Sequence, residues 1–150
     1  MNEYLIDRVQ APSACAGDYL SQVRRLENEI SCRLAHIRCL REARPDGLVL
    51  SVIHTGEASD HTGESAVRIE EMQQEVSALY DSMQKARTDI AQTVRRLPNT
   101  RARCLMEMRY LSGLSWESIA ESLAITPRSA LRLHQKALRS VDALLTDKHA

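Results

Sequence analysis

Apolar residues recur at alternating steps of three and four along two long stretches of the chain. In residues 65–97 the repeat runs over more than three heptads, which is typical of a coiled-coil helix. Its members are Ile69, Met72, Val76, Leu79, Met83, Ala86, Ile90 and Leu97. Residues 18–43 contain neither Pro nor Gly, and their repeat consists of Leu20, Val23, Leu26, Ile30, Leu34, Ile37 and Leu40. Each stretch is therefore predicted to form a long helix with one apolar stripe.

Two such helices bury their stripes most simply by folding back on each other as an antiparallel coiled-coil hairpin over residues 18–97. Association with the same helix of a second chain is the alternative. Asp18 follows Gly17 and suits the N-cap of the first helix, which leaves residues 1–17 as an N-terminal segment. Residues 45–64 hold several Gly and Pro without a helical period, so they are predicted to be a linker or a small β-hairpin.

The composition favours an all-α fold. The chain has 150 residues with no Phe, one Trp and four Tyr, so the aromatic side chains that usually fill a thick core are nearly absent. An elongated helical protein is expected. The formal charge is zero, but residues 99–150 carry eight Lys and Arg against five Asp and Glu, which is a weak indication of a nucleic-acid surface.

Nothing in the sequence predicts export or a membrane span. The Cys residues form no Cys-x-x-Cys pair, no signal-peptide pattern is present, and the longest apolar run, residues 48–53, is too short to cross a bilayer. A cytoplasmic protein with reduced thiols is expected. The linker carries His54, Glu57, Asp60 and His61, but a solvated loop explains them better than a metal site, and no cofactor is predicted.

The C-terminal third predicts three shorter helices. Pro98 ends the heptad helix and opens the predicted domain, residues 98–150. The first short helix spans residues 101–111, and its apolar face is Leu105, Met108 and Leu111. The second is capped by Ser115, and its buried face is Trp116, Ile119, Ala120 and Leu123. Ala120 suits the close crossing of two helices because its side chain is small.

Thr126 and Pro127 predict the start of the third helix, since a residue before Pro is extended and Pro suits the first helical position. The apolar face of this helix is Ala130, Leu133, Ala137, Val141 and Leu144. Its other face carries a cationic stripe of Arg128, Arg132, Lys136 and Arg139, with no acidic residue before Asp142. Basic stripes are more often solvated, but the two-helix pattern in front of this one favours contact with the major groove of DNA.

Residues 114–138 resemble the helix-turn-helix of the promoter-reading C-terminal domain of bacterial sigma factors, without a gap. More broadly, residues 19–27, residues 62–67 and the segments RYL and WESIA at residues 109–111 and 116–120 resemble small phage proteins grouped with ArpU-like and RinA-like late-gene activators. This resemblance implies a coiled helical hairpin in front of a sigma-like DNA-binding domain that acts at phage promoters.

Carried over residue by residue, the sigma-type contacts fall on Pro127, Arg128, Leu131 and Arg132, with Ser115 and Trp116 near a phosphate. The helix start and the cationic stripe add further candidates. The full set predicted to contact DNA is Ser115, Trp116, Thr126, Pro127, Arg128, Ser129, Leu131, Arg132, Gln135, Lys136 and Arg139.

The chain departs from the sigma pattern at three positions. Pro127 and Leu131 stand where sigma factors usually have Arg, so the ordinary promoter element is not the expected target. Leu131 is expected either to contact a thymine methyl group or to pack inward. Ala124 stands where Gly usually adopts a left-handed turn, which costs Ala about 1 kcal/mol. His134 is expected either to contact a phosphate or sense pH near neutrality, or to pack partly buried against Trp116 or Tyr110.

The sequence thus predicts a DNA-binding transcription regulator and no enzyme, because no phosphate loop, paired carboxylates or activated nucleophile is evident. The resemblance implies an activator of phage late genes that acts on double-stranded DNA with host RNA polymerase. Because one reading helix covers few base pairs, specificity needs a homodimer or a partner such as polymerase, and a homodimer is expected. Its predicted interface is Ile69, Met72, Val76, Leu79, Met83 and Ile90. The alternatives are the small subunit of a phage terminase and a sigma-like adaptor that binds polymerase without reading DNA.

Overall fold

A computed structural model describes residues 12–42 and 58–149 of the chain. These residues form helices joined by short turns and include no β-strand, which confirms the predicted all-α class. The helices are α1 (Pro12–Leu20), α2 (Gln22–Glu42), α3 (Ala58–Arg95), α4 (Thr100–Met106), a π-helical turn (Glu107–Leu111), α5 (Trp116–Leu123) and α6 (Pro127–His149). Within the described residues, no helix combines the length and the apolar character needed to cross a membrane.

Two helices begin earlier than the sequence pattern predicts. The first starts at Pro12, so Asp18 lies inside α1 and is not an N-cap; Pro is well placed in a first helical turn because it needs no hydrogen bond there. A turn at Ser21 separates α1 from α2, but hydrogen bonds continue across it, from Ser21 N–H to the Gly17 carbonyl at 3.0 Å. The second difference is at α3, which starts at Ala58 and includes the last residues of the predicted linker.

Glycine and polar residues misled the prediction at the start of α3. Gly63 lies within this helix, and a Gly inside a helix costs only about 1 kcal/mol relative to Ala. The long heptad repeat that follows outweighs that cost, because helix formation is cooperative once a stable segment exists. The linker residues before Ala58 lie outside the described part of the chain, and the side chains of Asp60 and His61 do too.

The described residues divide into two compact units. The first combines residues up to Arg25 with residues from Gln84 onward, and the second spans Leu26–Met83. The long helices α2 and α3 therefore each contribute to both units. In the first unit, α1, α4 and α5 all pack against α6. The largest fully buried side chains of the described residues belong to this unit; they are Leu20, Val23, Ile90, Val94, Leu97, Leu105, Met106, Ile119 and Val141.

Polar contacts in the first unit join α1 to α3 and α6. The Tyr19 hydroxyl lies 2.9 Å from the Thr93 hydroxyl and donates to the Asp89 carboxylate. Lys148 donates to the same carboxylate at 2.7 Å. Burial and the bond to Asp89 raise the pKa of Tyr19 to about 12, so its hydroxyl keeps its proton. Helix α1 thus belongs to the same compact unit as α6, a long-range contact that the sequence pattern does not predict.

The second unit has a narrow core. Ile37 of α2 packs with Ile69 and Met72 of α3, and Leu40 and Val76 flank this cluster. Within the same unit, Arg33 of α2 forms an ion pair with Glu75 of α3. Later residues of α2 meet earlier residues of α3, which is the contact pattern of antiparallel helices. Much of the predicted dimer seam is therefore already buried within one chain, at Ile69, Met72, Met83 and Ile90, while Val76 and Leu79 remain half-buried.

Candidate nucleic-acid interface

Helix α5 is positioned by an N-cap at its start and by two buried side chains at its centre. Ser115 is the N-cap, in extended conformation, and its hydroxyl oxygen accepts the Ser118 N–H at 3.2 Å. A cap of this kind stabilises a helix by about 1 kcal/mol. Ile119 and Ala120 are buried, whereas the other predicted core residues, Trp116 and Leu123, are half-buried. Ala120 is 3% exposed, and its helix α5 packs against α6. Its small side chain suits this close packing.

The connection from α5 to α6 is a tight left-handed turn. Ala124 has φ 54° and ψ 44° and is the one residue other than Gly with positive φ in the described chain. Ile125 N–H donates to the Ala120 carbonyl at 3.0 Å, and Ala124 N–H donates to the Glu121 carbonyl at 3.1 Å. These two bonds form a Schellman motif, which satisfies the last carbonyls of α5. The predicted left-handed position is therefore present, with Ala where Gly would be unstrained.

Helix α6 begins directly after this turn, as its sequence signals predict. The Thr126 hydroxyl accepts the Ser129 N–H at 3.1 Å and donates to the Ser129 hydroxyl at 2.9 Å. Pro127 is the first helical residue. Only two residues, Ile125 and Thr126, separate the left-handed residue Ala124 from α6. This short connection restricts the orientation of α6 relative to α5.

Helix α6 has one buried face and one cationic face. Three residues of the predicted apolar face are at most 2% exposed, namely Ala130, Ala137 and Val141, and Leu133 and Leu144 are half-buried. The whole cationic stripe, Arg128, Arg132, Lys136 and Arg139, is exposed. Residues three and four apart lie on the same side of a helix. The four cations therefore form one exposed row along more than three turns.

Between Arg128 and Arg139, α6 has no acidic residue, and Asp147 is exposed about two turns beyond the row. Asp142 is only 5% exposed, and its carboxylate accepts the Ala16 N–H of α1 at 2.9 Å. Burial raises the pKa of Asp142, and the Ala16 bond partly opposes that rise. Glu117 and Glu121 are exposed on α5, which carries no cation. Of the two helices α5 and α6, only α6 therefore presents exposed cations.

A π-helical turn brings two side chains to the junction of α5 and α6. The Ser112 N–H donates to the Glu107 carbonyl at 3.0 Å, one residue further back than in an α-helix. The extra residue rotates the following side chains by roughly 100° relative to α4. In α4, before the turn, Ala102, Leu105 and Met106 are buried. Met108 and Leu111 of the predicted face lie within the π-turn and are half-buried.

The redirected side chains are Arg109 and Tyr110, and both reach the α5–α6 junction. Arg109 donates to the Leu114 carbonyl at 3.0 Å, and its guanidinium lies 4.7 Å from the centre of the Trp116 ring. The Tyr110 hydroxyl lies 2.7 Å from Nε2 of His134 on α6. The rings of Trp116 and His134 meet edge to face with centroids 4.7 Å apart. These contacts join the π-helical turn, α5 and α6 around the Trp116–His134 ring pair.

His134 is therefore a packing residue of this junction. Burial, and to a smaller extent the positive charge of Arg109, lowers the pKa of His134 to about 4. The imidazole is neutral at physiological pH and has no charge to offer a phosphate. Of the roles expected for His134, the structure therefore has the packing role, in which the imidazole lies half-buried against the rings of Tyr110 and Trp116.

The structure places ten of the eleven predicted DNA contacts on the surface of α6 or at the helix starts. All are exposed except Trp116, whose ring is occupied by Arg109 and His134. Trp116 thus packs within the junction, and its predicted position near a phosphate stays a prediction. Leu131 is 45% exposed, which excludes the inward packing considered for it.

Sequence reasoning missed Arg109 and the docking of α1 on α6. Arg109 supports Trp116 only because the π-turn redirects it, and a helical periodicity places it elsewhere. No residue pattern marks the π-turn that redirects Arg109, and the docking of α1 on α6 joins residues 126 apart in the chain. Comparisons with protein-family models, with curated protein sequences and with solved structures find no match to this chain.

Proposed function

We propose that the chain is a sequence-specific DNA-binding transcription regulator in which α5 and α6 act as a helix-turn-helix and α6 enters the major groove. The observation that carries the proposal is the exposed row of four cations on α6, opposite the face that packs into the first unit. Phosphates and guanine edges are the acceptors that Arg and Lys recognise on DNA. A solvated row of cations alone would not suffice.

The support beyond charge is the short, capped connection in front of the row. Ser115 caps the start of α5, and Ala124 and Thr126 fix the two ends of the turn between α5 and α6 through the bonds described above. A reading helix must be held rigidly to present its first turns to base edges. Arg128 and Arg132 lie in those first turns, whereas Lys136 and Arg139 follow one to two turns later, where phosphates are the expected partners.

In this proposal α2 and α3 form a helical hairpin that precedes the helix-turn-helix in the chain. The resemblance to phage late-gene activators supports promoters of phage genes as targets and host RNA polymerase as a partner. The proposed protein works as a homodimer, since one reading helix specifies too few base pairs. Because one chain already buries most of the heptad seam, the dimer would use other surfaces together with the half-buried Val76 and Leu79.

The test is selection of bound sequences from random duplex DNA at near-physiological salt, with the Arg128→Ala, Arg132→Ala double variant in parallel. We expect a defined sequence motif for the unchanged protein and its loss in the variant. A control variant, Lys85→Ala, removes an exposed cation of α3 and should leave the motif unchanged. Absence of any enriched motif would contradict the proposal and favour an adaptor that binds polymerase alone.

The same duplex separates base contacts from phosphate contacts. Arg132→Ala is expected to lower affinity by about 1–3 kcal/mol and to relax the base preference at one position. Lys136→Ala is expected to weaken binding to all sequences and to reduce the slope of log K against log salt by about 1. Equal effects of both variants on every duplex would refute this assignment of roles.

A further inference from the structure

Leu131 is a large apolar side chain in the otherwise polar outer surface of α6. It is 45% exposed and lies in the second turn of the helix. Single exposed leucines are common and need no explanation by themselves. Leu34 on α2 is an example, at 46% exposed. The position of Leu131, and not its exposure, is what requires an explanation.

The neighbours of Leu131 are those of a base-reading surface. Helical spacing places Arg128 one turn before it and Gln135 one turn after it on the same side, and Arg132 follows it in the chain. All three neighbours are exposed. If α6 enters the major groove, any of these side chains can reach base edges while the cations bind phosphates on either side.

The chemistry of Leu131 selects one partner in that groove. A leucine offers neither a donor nor an acceptor, so it cannot read the polar edges of guanine, cytosine or adenine. The C5-methyl group of thymine is the apolar group that the major groove presents. A protein partner is disfavoured at this place, because docking would also bury Arg128 and Arg132, and burying unpaired charges is costly.

We infer that Leu131 is a specificity-determining residue that contacts the methyl group of a thymine in the DNA target. This inference rests on the proposed function and goes beyond it by naming the base and the chemical group. It assigns to one exposed side chain a preference for thymine. The cations cannot supply this preference, because Arg and Lys recognise hydrogen-bond acceptors and not methyl groups. The target is therefore expected to contain an A·T pair at a position fixed relative to the guanine read by Arg128 or Arg132.

The experiment uses the full chain and the duplex enriched by selection. Each thymine of that duplex is replaced in turn by deoxyuridine, which removes the methyl group and leaves every hydrogen-bonding group in place. Loss of one buried methyl contact corresponds to a roughly fourfold weaker Kd. We expect this loss at one thymine for the unchanged protein and a ratio near one at the same thymine for Leu131→Ala.

Two further variants serve as controls. Leu34→Ala removes a leucine of almost equal exposure from α2 and should keep the full fourfold discrimination. Leu131→Met retains an apolar group and should keep discrimination above that of Leu131→Ala. The inference is overturned if no deoxyuridine position weakens binding, or if Leu131→Ala is as sensitive as the unchanged protein. Failure of the proposed function looks different, because in that case the selection enriches no duplex at all.

Discussion

His134 shows how burial of one side chain on a surface helix decides its chemistry. On sequence grounds a histidine among Arg and Lys residues is a candidate phosphate contact or a pH sensor near neutrality. Its contacts with Tyr110 and Trp116 remove it from both roles. A group whose pKa is lowered to about 4 in the folded protein changes charge only in acid.

This pKa predicts an acid-sensitive stability. The folded-state pKa of about 4 lies below the ordinary value near 6.5, so between these pH values the unfolded state binds more protons than the folded state. The free energy of unfolding should therefore fall as pH decreases from about 6.5 towards 4. The measurement is the thermal midpoint as a function of pH. In His134→Gln the slope over this window should be shallower, whatever its absolute midpoint; an unchanged slope would show that other groups cause it.

At the scale of the elements, the sequence correctly predicts the residues that begin α5 and α6, and the turn between these helices contains one strained residue, Ala124. Ser115, Thr126 and Pro127 were predicted as caps and a first helical residue, and their hydrogen bonds confirm these positions. Caps are predictable because they depend on a few adjacent residues. Ala124 was predicted to occupy a left-handed position, and its φ of 54° confirms it.

Relief of this strain gives a stability prediction. Ala124→Gly should raise the free energy of unfolding by about 0.5–1 kcal/mol, because Gly adopts positive φ without a Cβ clash and the gain exceeds its larger unfolded-state entropy. The matched control is Ala143→Gly, an exposed Ala within α6, which should lower stability by about 1 kcal/mol. Both are measured by urea unfolding. Destabilisation by both changes would mean that the turn at Ala124 is not left-handed in solution.

Other parts of the elements could not be predicted from local patterns. Periodicity located the heptad helix, but it placed the start of that helix too late because Gly63 and its polar neighbours resemble a loop. The π-turn Glu107–Leu111 changes the phase of a short helix, and no residue in it signals the change. Docking of α1 on α6 depends on contacts such as Ala16 with Asp142, which are 126 residues apart and invisible to any local pattern.

At the scale of the whole chain, the two compact units differ in how much core they contain. The first unit holds the largest fully buried side chains, contributed by several packed helices. The second depends on a cluster of Ile37, Ile69 and Met72 with two half-buried neighbours. Local stability follows the amount of buried apolar contact. The scarcity of aromatic residues in the sequence argued against a thick core. That expectation fits the second unit better than the first.

This difference predicts the order of local unfolding. Backbone amides of residues 26–42 and 63–83 should exchange with solvent faster than those of α4, α5 and α6, as measured by native-state hydrogen exchange. Ile37→Val and Ile119→Val form a matched pair, one in each core, and each is expected to cost about 0.5–1.5 kcal/mol. Each change should accelerate exchange in its own unit. Equal acceleration everywhere in both variants would mean that the described chain unfolds as one cooperative body.

Trp116 is the single tryptophan of the chain, and it lies where Arg109 and His134 meet at the α5–α6 junction. The indole emission of the protein therefore originates at one place, beside the surface proposed to bind DNA. Its environment changes if α6 moves relative to α5 or if His134 gains a proton. The chain thus carries an intrinsic fluorophore with which docking, acid titration and unfolding of this unit can be followed without a label.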